Sequence, residues 1–358
     1  MKNTVYMFNT FLFGIIFFTA VFIGCNPVQE EQTHTFSKAT SPLFIDPNYH
    51  GSCDPEIVWN EVEKAWWIFY TARKGTEENT WVGTPLGVTS SKDLINWEFR
   101  GYCSFDGVGG KPTAKETFWA PAIIAHEGVY HMFVTWKPDS LPSEGRPWGA
   151  SPGKIVHYKA PVHNLLSGWE KVGIIHDPGL NTIDATVYQQ GDEFHVWFKG
   201  RIPGEKNELY HMVTRDFESW ADRGFTQSDV FNEAVTGSNF EEAPFIFTWQ
   251  DRMHLITDPH KGLFTYVSED GNNWDFQGTI LLEPGTRPYD NSMGRHCSVA
   301  VVEDRAFIFY HVEPWRDYDG PSIAKQPVAN RRSVLQIAEL NWEKGQLMCD
   351  RNKQIVIQ

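Results

Sequence analysis

The amino-acid sequence predicts an all-β fold, a five-bladed β-propeller. One basis for this prediction is a repeat in which a tryptophan is followed four residues later by a glycine. Its copies are Trp97/Gly101, Trp169/Gly173, Trp220/Gly224 and Trp274/Gly278, and a looser copy, Trp342 with Gly345, lies near the end of the chain. Successive tryptophans are about 50 to 70 residues apart, a period typical of a β unit that forms one propeller blade. Chance recurrence in a chain with 15 tryptophans is the alternative.

A second basis is the lead-in Ser/Thr-x-Asp-x-x-x-Trp, which three copies share and which begins at Ser91, Thr214 and Ser268. Aspartate together with glycine, asparagine or serine favours a turn, because these residues bond to the nearby backbone or tolerate its geometry. The tryptophan then lies on the outgoing strand of a hairpin, where we expect it to be buried against the neighbouring blade. Five copies predict five blades.

The strands themselves are the third basis. From about residue 44 onward, short runs rich in aromatic and β-branched residues alternate with turns, which is the pattern of consecutive β-strands. Examples are residues 56–59, 65–70, 129–136, 194–198, 253–256 and 306–310. No helical period extends over ten residues or more in this part, and no linker divides it. We therefore interpret residues 44–358 as one propeller domain.

Composition limits the possible partners. Hydrophobic residues make up 41% of the chain and aromatic residues 15%, which indicates a globular core with rings available for stacking on sugars. The formal net charge is −14. Such an acidic chain does not attract phosphate backbones, so we expect no nucleic-acid partner.

The N-terminus has the features of an export signal. Lys2 precedes an almost wholly apolar run over residues 5–24, and Gly24 stands directly before Cys25. We interpret residues 1–24 as a lipoprotein-type signal peptide, Cys25 as the acylated residue and residues 25–43 as a flexible tether. An uncleaved membrane helix is the alternative, since the run is long enough to span a bilayer.

We expect a monomer, located in the cell envelope. It would be lipid-anchored to the outer membrane, periplasmic or surface-exposed, and attached to the membrane through the lipid alone. The sequence leaves open whether the other cysteines form disulfides or remain free thiols; they are Cys53, Cys103, Cys297 and Cys349.

Chemically informative residues recur where the first strand of each repeat begins. These starts are Asp54-Pro55, Trp119-Ala120-Pro121, Asp184-Ala185, Glu242-Ala243-Pro244 and His296-Cys297-Ser298. The innermost strands of a propeller converge on a central funnel, so we expect Asp54, Asp184, Glu242 and His296 to meet there. We treat these starts as equivalent positions of the five blades.

Paired carboxyl groups in different environments suit glycosidic cleavage. One must be protonated to donate to the leaving oxygen, and another ionised to activate water. A third carboxylate near the acid raises the pKa of that acid by like-charge repulsion. Purely structural roles remain open: Asp54 as a turn residue before Pro55, and Asp184 as a strand cap. Glu241 is the alternative acid to Glu242, although the position of Pro244 favours Glu242.

These starts resemble motifs of glycoside hydrolase family 43, which is related in shape to family 117. The motifs are Asp-Pro, Trp-Ala-Pro, Ile-Asp-Ala-x-Val, Glu-Ala-Pro and Gly-Arg-His-x-Ser-Val, within roughly residues 50–312. The family pattern has Glu-Gly-Pro and Gly-His where this chain has Glu-Ala-Pro and Gly294-Arg295-His296. The resemblance implies a five-bladed propeller that inverts anomeric configuration, with β-xylosidases, α-L-arabinofuranosidases and arabinanases as the main activities.

The resemblance also implies roles. Asp54 would be the general base and Glu242 the general acid. Asp184 would modulate the pKa of that acid and orient it. Trp119 would line the sugar pocket. His296 matches a histidine that in many family members faces the central channel and helps to hold a calcium ion or a water cluster.

Further expectations concern substrate binding. Arg73 and Arg295 are candidates to bind substrate hydroxyl or carboxylate groups, whereas His311 is predicted to be a packing or rim residue. Loops 137–154 and 313–330 are predicted at the rim, where they would close one end of a groove.

We therefore expect an exo-acting enzyme of polysaccharide degradation that releases L-arabinofuranose or D-xylose. The alternatives are a galactosidase or anhydro-L-galactosidase that acts on algal galactan fragments, and a non-catalytic glycan-binding surface lipoprotein. Loss of one acid would mark the last of these, and all three acids are present.

Overall fold

The computed structural model describes residues 37–106, 108–109, 116–177, 179, 181–201, 207–225 and 228–357. The predicted signal peptide, Cys25 and most of the predicted tether lie outside these residues. Among the residues described, no helix has the length and apolar character needed to cross a membrane.

Five four-stranded antiparallel sheets form the five blades of the predicted propeller. Blade 1 contains Ser52–Asn60, Ala65–Ala72, Leu86–Ser91 and Glu98–Tyr102. Blade 2 contains Thr117–His126, Val129–Lys137, Lys154–Pro161 and Glu170–Ile174. Blade 3 contains Ile183–Gln190, Glu193–Arg201, Asn207–Thr214 and Ala221–Phe225. Blade 4 contains Glu242–Trp249, Arg252–Asp258, Leu263–Ser268 and Asp275–Ile280. Blade 5 contains Arg295–Val302, Arg305–Val312, Val334–Glu343 and Gln346–Cys349.

A few short elements accompany the blades. Two-residue strands pair Ser37–Lys38 with Val356–Ile357, and Ser104–Phe105 with Val108–Gly109. One α-helical turn spans Glu233–Thr236, and 3-10 turns span Ile323–Lys325 and Val328–Arg331. The fold class is therefore all-β, as predicted.

Contacts between blade 5 and blade 1 close the ring. Their first strands are in contact, and Ser298 Oγ in blade 5 accepts a hydrogen bond of 3.2 Å from the Ile57 backbone N–H in blade 1. The short strand Ser37–Lys38 pairs with the strand near the C-terminus, so both ends of the described chain lie together. Because all four strands of blade 5 come from one stretch of sequence, these contacts provide the closure.

The repeat tryptophans pack as predicted, each against the second strand of the preceding blade. The ring pairs are Trp97 with Phe309, Trp169 with Phe69, Trp220 with Phe133 and Trp342 with His254, while Trp274 shares a core cluster with Trp197. Burying an indole at each interface removes a large apolar surface from water. The tryptophans therefore hold adjacent blades together.

The glycines of the repeat follow a β-bulge in the fourth strand. In blades 1, 3 and 4 the glycine has a positive φ, as at Gly278 with φ 147°. Blade 5 departs from this pattern, because Trp342 lies within the third strand, one residue before its end, and Gly345 lies in the turn that follows. The loose fifth copy thus predicts the fifth blade correctly, but its tryptophan and glycine do not occupy the same positions as those of the other copies.

The four described cysteines are free thiols. Cys53, Cys103 and Cys297 are buried, and Cys349 is partly buried. Burial raises the pKa of each thiol, so they remain protonated and unreactive at neutral pH.

Candidate active site

A β-bulge in the first strand of every blade directs side chains toward the axis. The residue with positive φ in this bulge is Asp54, Ala120, Asp184, Ala243 and His296 in blades 1 to 5. Non-glycine residues rarely adopt this conformation, and such strain is concentrated at functional sites. Because a residue with positive φ recurs in the bulge of all five blades, this conformation is a regular feature of the fold.

The bulges correct the expected equivalence of the first-strand residues. Trp119 and Glu242 do not occupy the same position as Asp54, Asp184 and His296, but lie one residue before it. A bulge breaks the strict alternation of a strand, so neighbouring residues both reach the channel. The carboxyl groups converge as expected, but they do so from two adjacent positions.

A second ring of polar side chains comes from the second strands. The cross-strand partners of the residues before the bulges are Thr71, Thr135, Lys199, Asp258 and His311. In four of the blades this side chain accepts a hydrogen bond from the bulge N–H of the next blade. One example is Thr135 Oγ1, which accepts from Asp184 N at 2.9 Å. The second ring therefore fixes the conformation of the first.

One cavity of about 900 Å³ lies at this convergence. The residues predicted for the site all line it: Asp54, Arg73, Trp119, Asp184, Glu242, Arg295 and His296. Loops 137–154 and 313–330 also contribute to its wall, through Arg146–Pro152 and Ser322–Ala324. The volume suits a small oligosaccharide unit.

Asp54 is held in its ionised form. Burial opposes ionisation, but Nδ1 of His296 lies 3.2 Å from Oδ1 of Asp54, and the charges of His296 and Arg73 bring the pKa of Asp54 well below its usual range. His296 responds in the opposite sense. Although burial lowers its pKa, Asp54 raises it to about 9.

His311, predicted to be a packing or rim residue, is packed in the wall of this cavity and does not lie at the rim. It is buried, and its Nδ1 accepts a hydrogen bond of 3.2 Å from the Asp54 backbone N–H. Burial lowers the pKa of His311 to about 3, so the ring stays neutral and can accept. His311 therefore positions the Asp54 backbone.

Asp184 and Glu242 differ in pKa, and Asp184 holds its proton more strongly. Burial and the nearby charge of Glu242 raise the pKa of Asp184 to about 7. Burial also acts against the ionised form of Glu242, but Lys199, His260 and Arg295 bring its pKa well below the usual value. The expected repulsion between the two carboxylates therefore raises the pKa of Asp184, whereas on Glu242 the nearby cations outweigh it.

Glu242 makes three close contacts with cationic or imidazole groups. Lys199 Nζ donates to Oε2 at 3.1 Å, His260 Nε2 lies 2.6 Å from Oε1, and Arg295 Nη2 lies 3.8 Å from Oε1. His260 is in the turn after the second strand of blade 4, and it is exposed to solvent. Glu242 is thereby connected to solvent through an imidazole.

The adjacent Glu241 has a structural role. It is fully buried and accepts hydrogen bonds from the Phe231 N–H at 2.7 Å, from the Tyr266 hydroxyl at 2.7 Å and from the Thr257 hydroxyl. Glu241 does not line the cavity. The choice of Glu242 over Glu241 as the candidate acid therefore rests on geometry as well as on Pro244.

The two predicted arginines are engaged with protein carboxylates. Arg73 pairs with Glu313, and Arg295 Nε donates to Asp258 Oδ2 at 2.7 Å. Arg316 also binds Glu313, at 2.6 Å. Burial opposes ionisation of Glu313, but these three arginines bring its pKa well below the usual value. Arg73 and Arg295 thus form a rigid ion-pair network in the cavity wall.

The calcium ion or water cluster expected beside His296 stays a prediction. Calcium takes six to eight oxygen ligands, waters among them, and Asp54 Oδ1, 3.2 Å from Nδ1 of His296, is a carboxylate oxygen beside that ring. Within the described residues, one set has the geometry for a metal: Glu242, Asp258 and His260, whose ligand atoms lie within 4.8 Å of one another. Lys199 and Arg295 already neutralise the two carboxylates of this set.

Solved structures share this architecture. A thermostable family-43 glycoside hydrolase is similar with a TM-score of 0.59 and 18% identity, over 86% of this chain and 96% of that chain. An α-L-arabinofuranosidase from Lactobacillus brevis is similar with a TM-score of 0.58 and 14% identity, over 86% of this chain and 97% of that chain. An exo-β-1,3-galactanase from Phanerochaete chrysosporium with galactose is similar with a TM-score of 0.60 and 12% identity, over 88% of this chain and 67% of that chain. The chain has the fold of family 43 glycoside hydrolases.

The resemblance predicted from the motifs is thus confirmed at the level of the fold. No family model matches the sequence, and no curated protein matches it. At identities of 12 to 18%, the similarity to these structures is one of architecture.

Sequence reasoning missed Lys199, Asp258, His260 and Glu313. Lys199 lies near the end of the aromatic second strand of blade 3, and Asp258 ends the second strand of blade 4; a charged residue in such a strand could have been noticed. Glu313 directly follows such a strand in blade 5. His260 lies in a turn and gives no sequence signal, because only the fold brings it to Glu242.

Proposed function

We propose that this protein is a glycoside hydrolase that cleaves with inversion of anomeric configuration. The observation that carries the proposal is the opposed protonation of carboxyl groups around one cavity. Asp54 is ionised, while the pair formed by Asp184 and Glu242 keeps a proton near neutral pH. Glycosidic cleavage needs this division between a base and an acid. The fold shared with family 43 glycoside hydrolases supports the assignment as a glycosidase.

In the proposed reaction, Asp54 accepts a proton from water as the water oxygen bonds to the anomeric carbon. The bond from that carbon to the leaving oxygen breaks, and the leaving oxygen takes a proton from Glu242. Glu242 is assigned this role because it is partly exposed to the cavity, whereas Asp184 is buried. The two carboxyl groups titrate as a pair, so the proton that Asp184 stores is available to Glu242.

His260 returns the proton after each turnover in this scheme. Its Nε2 is 2.6 Å from Glu242 and its ring is exposed, so it connects the acid to solvent. Lys199 stabilises the Glu242 carboxylate that remains after the proton has left. No step requires a metal ion, in keeping with the ion pairs described above.

For the substrate we propose a terminal α-L-arabinofuranoside or β-D-xyloside of a plant or algal polysaccharide. Loops 137–154 and 313–330 both contribute to the cavity wall, which favours a pocket for a chain end. The L. brevis enzyme with the same fold is an α-L-arabinofuranosidase. A terminal galactoside is the second candidate, because an exo-β-1,3-galactanase matches with a TM-score of 0.60.

A screen of nitrophenyl glycosides and defined oligosaccharides tests the activity. Proton NMR of the first product gives the stereochemistry, and a retained anomer contradicts inversion. We expect Glu242→Gln to lose about 10²–10⁴-fold on oligosaccharides, and far less on dinitrophenyl glycosides, whose leaving group needs no acid. We expect Asp54→Asn to lose activity on both substrates. If Glu242→Gln matches the wild type on oligosaccharides, Glu242 is not the acid. Binding without turnover on every substrate would favour a non-catalytic glycan-binding protein.

We also propose attachment to the outer membrane through an acylated Cys25. This rests on the apolar run that ends at Gly24-Cys25. Metabolic labelling with a fatty acid tests it: label on the wild type and none on Cys25→Ala is the expected result. Label on both proteins, or on neither, contradicts it.

A further inference from the structure

The cavity wall is rich in cations although the chain as a whole is acidic. The net charge of the chain is −14, yet six lysine and arginine residues line the cavity with five carboxyl groups. The cations are Arg73, Lys137, Arg146, Lys199, Arg295 and Arg316, and the carboxyl groups are Asp54, Asp184, Glu242, Asp258 and Glu313. Four of the cations bind carboxylates that also line the cavity. The other two, Lys137 and Arg146, come from the same side of blade 2.

Lys137 is a buried ammonium whose ion pair with a carboxylate is long. Its side chain is 4% exposed, and Nζ donates to the Trp148 carbonyl oxygen at 2.5 Å. The nearest carboxylate, Asp139, is 3.8 Å away and already accepts two hydrogen bonds from Ser151, from the backbone N–H and the hydroxyl. A buried charge is costly unless it is paired. An anion that entered the cavity would complete the pairing.

Arg146 adds a second donor at the same place. It is exposed and lines the cavity, and among the residues described no carboxylate lies within ion-pair distance of it. The planar guanidinium group binds carboxylate or sulfate oxygens through two parallel hydrogen bonds. Its position near Lys137 places two positive charges on one part of the wall.

Two tryptophans flank these cations. Trp148, two residues after Arg146, is 52% exposed, and Lys137 Nζ lies 5.0 Å above the ring of Trp119. Both indoles line the cavity. An exposed indole offers an apolar face for a sugar ring, and its neighbours offer charge to a substituent on that ring. The combination differs from a solvated basic patch, which has no such platform.

We propose that Lys137, Arg146, Trp119 and Trp148 form a subsite for a sugar ring that bears an anionic group, a carboxylate or a sulfate ester. This rests on the proposed function and narrows its substrate class to acidic glycans. The ring stacks on an indole while the anionic group binds the guanidinium and the ammonium. With a neutral pentose at this place, Lys137 keeps only Asp139, 3.8 Å away, as a counter-charge. The acidic sugar belongs to the glycan chain next to the residue that is released.

The test compares matched acidic and neutral oligosaccharides. The probes are xylotriose with and without a glucuronic acid branch, and a galactan tetrasaccharide with and without sulfate esters. Binding is measured by calorimetry on the Glu242→Gln protein, which blocks turnover. We expect at least one acidic probe to bind tenfold or more tightly than its neutral partner, with a preference that weakens as salt is raised. The pair that shows the preference identifies carboxylate or sulfate as the recognised group.

Two further substitutions locate the subsite. Arg146→Gln is expected to remove most of the preference and to leave the affinity for the neutral probe unchanged. Arg223→Gln, at an exposed arginine on the outer strand of blade 3, is the matched control and should keep the preference. Equal binding of acidic and neutral probes, or a preference that survives Arg146→Gln, overturns the proposal. Because turnover is not involved, a preference without hydrolysis by the wild type would reject the glycosidase and keep the subsite.

Discussion

Nδ1 of His296 lies 3.2 Å from Oδ1 of Asp54, and this contact joins blade 5 to blade 1 across the cavity. Each group stabilises the charged form of the other: the pKa of Asp54 falls well below its usual range, and that of His296 rises to about 9. Burial alone would act in the opposite direction on both groups. The pair therefore provides an ionised base in a buried place.

The first prediction follows from this contact. In His296→Gln the imidazolium is absent while Asp54 remains buried, so the pKa of Asp54 should rise. Because the base must be ionised, the acid limb of the pH profile of kcat/KM should move to higher pH. The measurement is that profile for wild type and variant, with melting temperatures to establish folding. An acid limb at the same pH in both proteins would show that His296 does not control the base.

The second prediction concerns the basic limb. The carboxyl pair loses its proton near the pKa of Asp184, about 7, so activity should decline as the pH rises through 7. Lys199→Met removes a cation 3.1 Å from Glu242, which makes the pair harder to ionise. The basic limb should then move to higher pH. Lys261→Met, at a lysine in the neighbouring turn that bonds to the Gly237 carbonyl, should leave it in place.

If Lys199→Met lowers activity at every pH without moving the basic limb, Lys199 binds substrate and does not control the pKa at which the pair of Asp184 and Glu242 loses its proton. If the control moves the limb as well, the shift reflects the general loss of positive charge.

The blade number could be predicted because one physical demand recurs in the sequence. Each interface needs a large apolar side chain, and Trp97, Trp169, Trp220 and Trp274 meet that need at similar spacing. The fifth copy is less regular because Trp342 belongs to a third strand, although it still packs against the preceding blade.

The site could be predicted only in part. Asp54, Asp184 and Glu242 were found because the motifs mark the start of each first strand. Their exact equivalence was wrong, because a bulge changes which side chain faces the axis and a single sequence does not reveal bulges. Lys199 and His260 were missed for a related reason. Their importance depends on contacts with Glu242 that the fold alone creates.

The third prediction concerns acid stability. Two histidine pairs are buried inside blades 2 and 3: His131 Nδ1 lies 2.9 Å from His157 Nε2, and His195 Nδ1 lies 2.9 Å from His211 Nε2. Burial lowers the pKa of His131 to about 4 and those of His157 and His211 to about 3. The unfolded chain, with histidine near 6.5, therefore binds more protons below pH 6.5. The free energy of unfolding should fall as the pH falls from about 6.5 to 4.

Urea unfolding at several pH values tests this directly. A double variant, His131→Phe with His157→Phe, should show a smaller fall over the same window, because two of the buried proton acceptors are gone. His163→Gln, at an exposed histidine of blade 2, should behave as the wild type does. An equally steep fall in the double variant would assign the acid sensitivity to other groups.

The last prediction separates the effect of backbone conformation on stability from the effect of side-chain packing. Gly278 has φ 147°, a conformation that alanine rarely adopts, and a Cβ there would meet no atom within 4 Å. Gly173 occupies the equivalent position in blade 2. A Cβ there would also meet no atom within 4 Å, but Gly173 does not have a positive φ. Gly278→Ala should therefore lower the free energy of unfolding by about 1–3 kcal/mol, whereas Gly173→Ala should change it little. Equal effects would mean that the fourth-strand bulge relaxes around a side chain, and that the positive φ is not what retains glycine in the repeat.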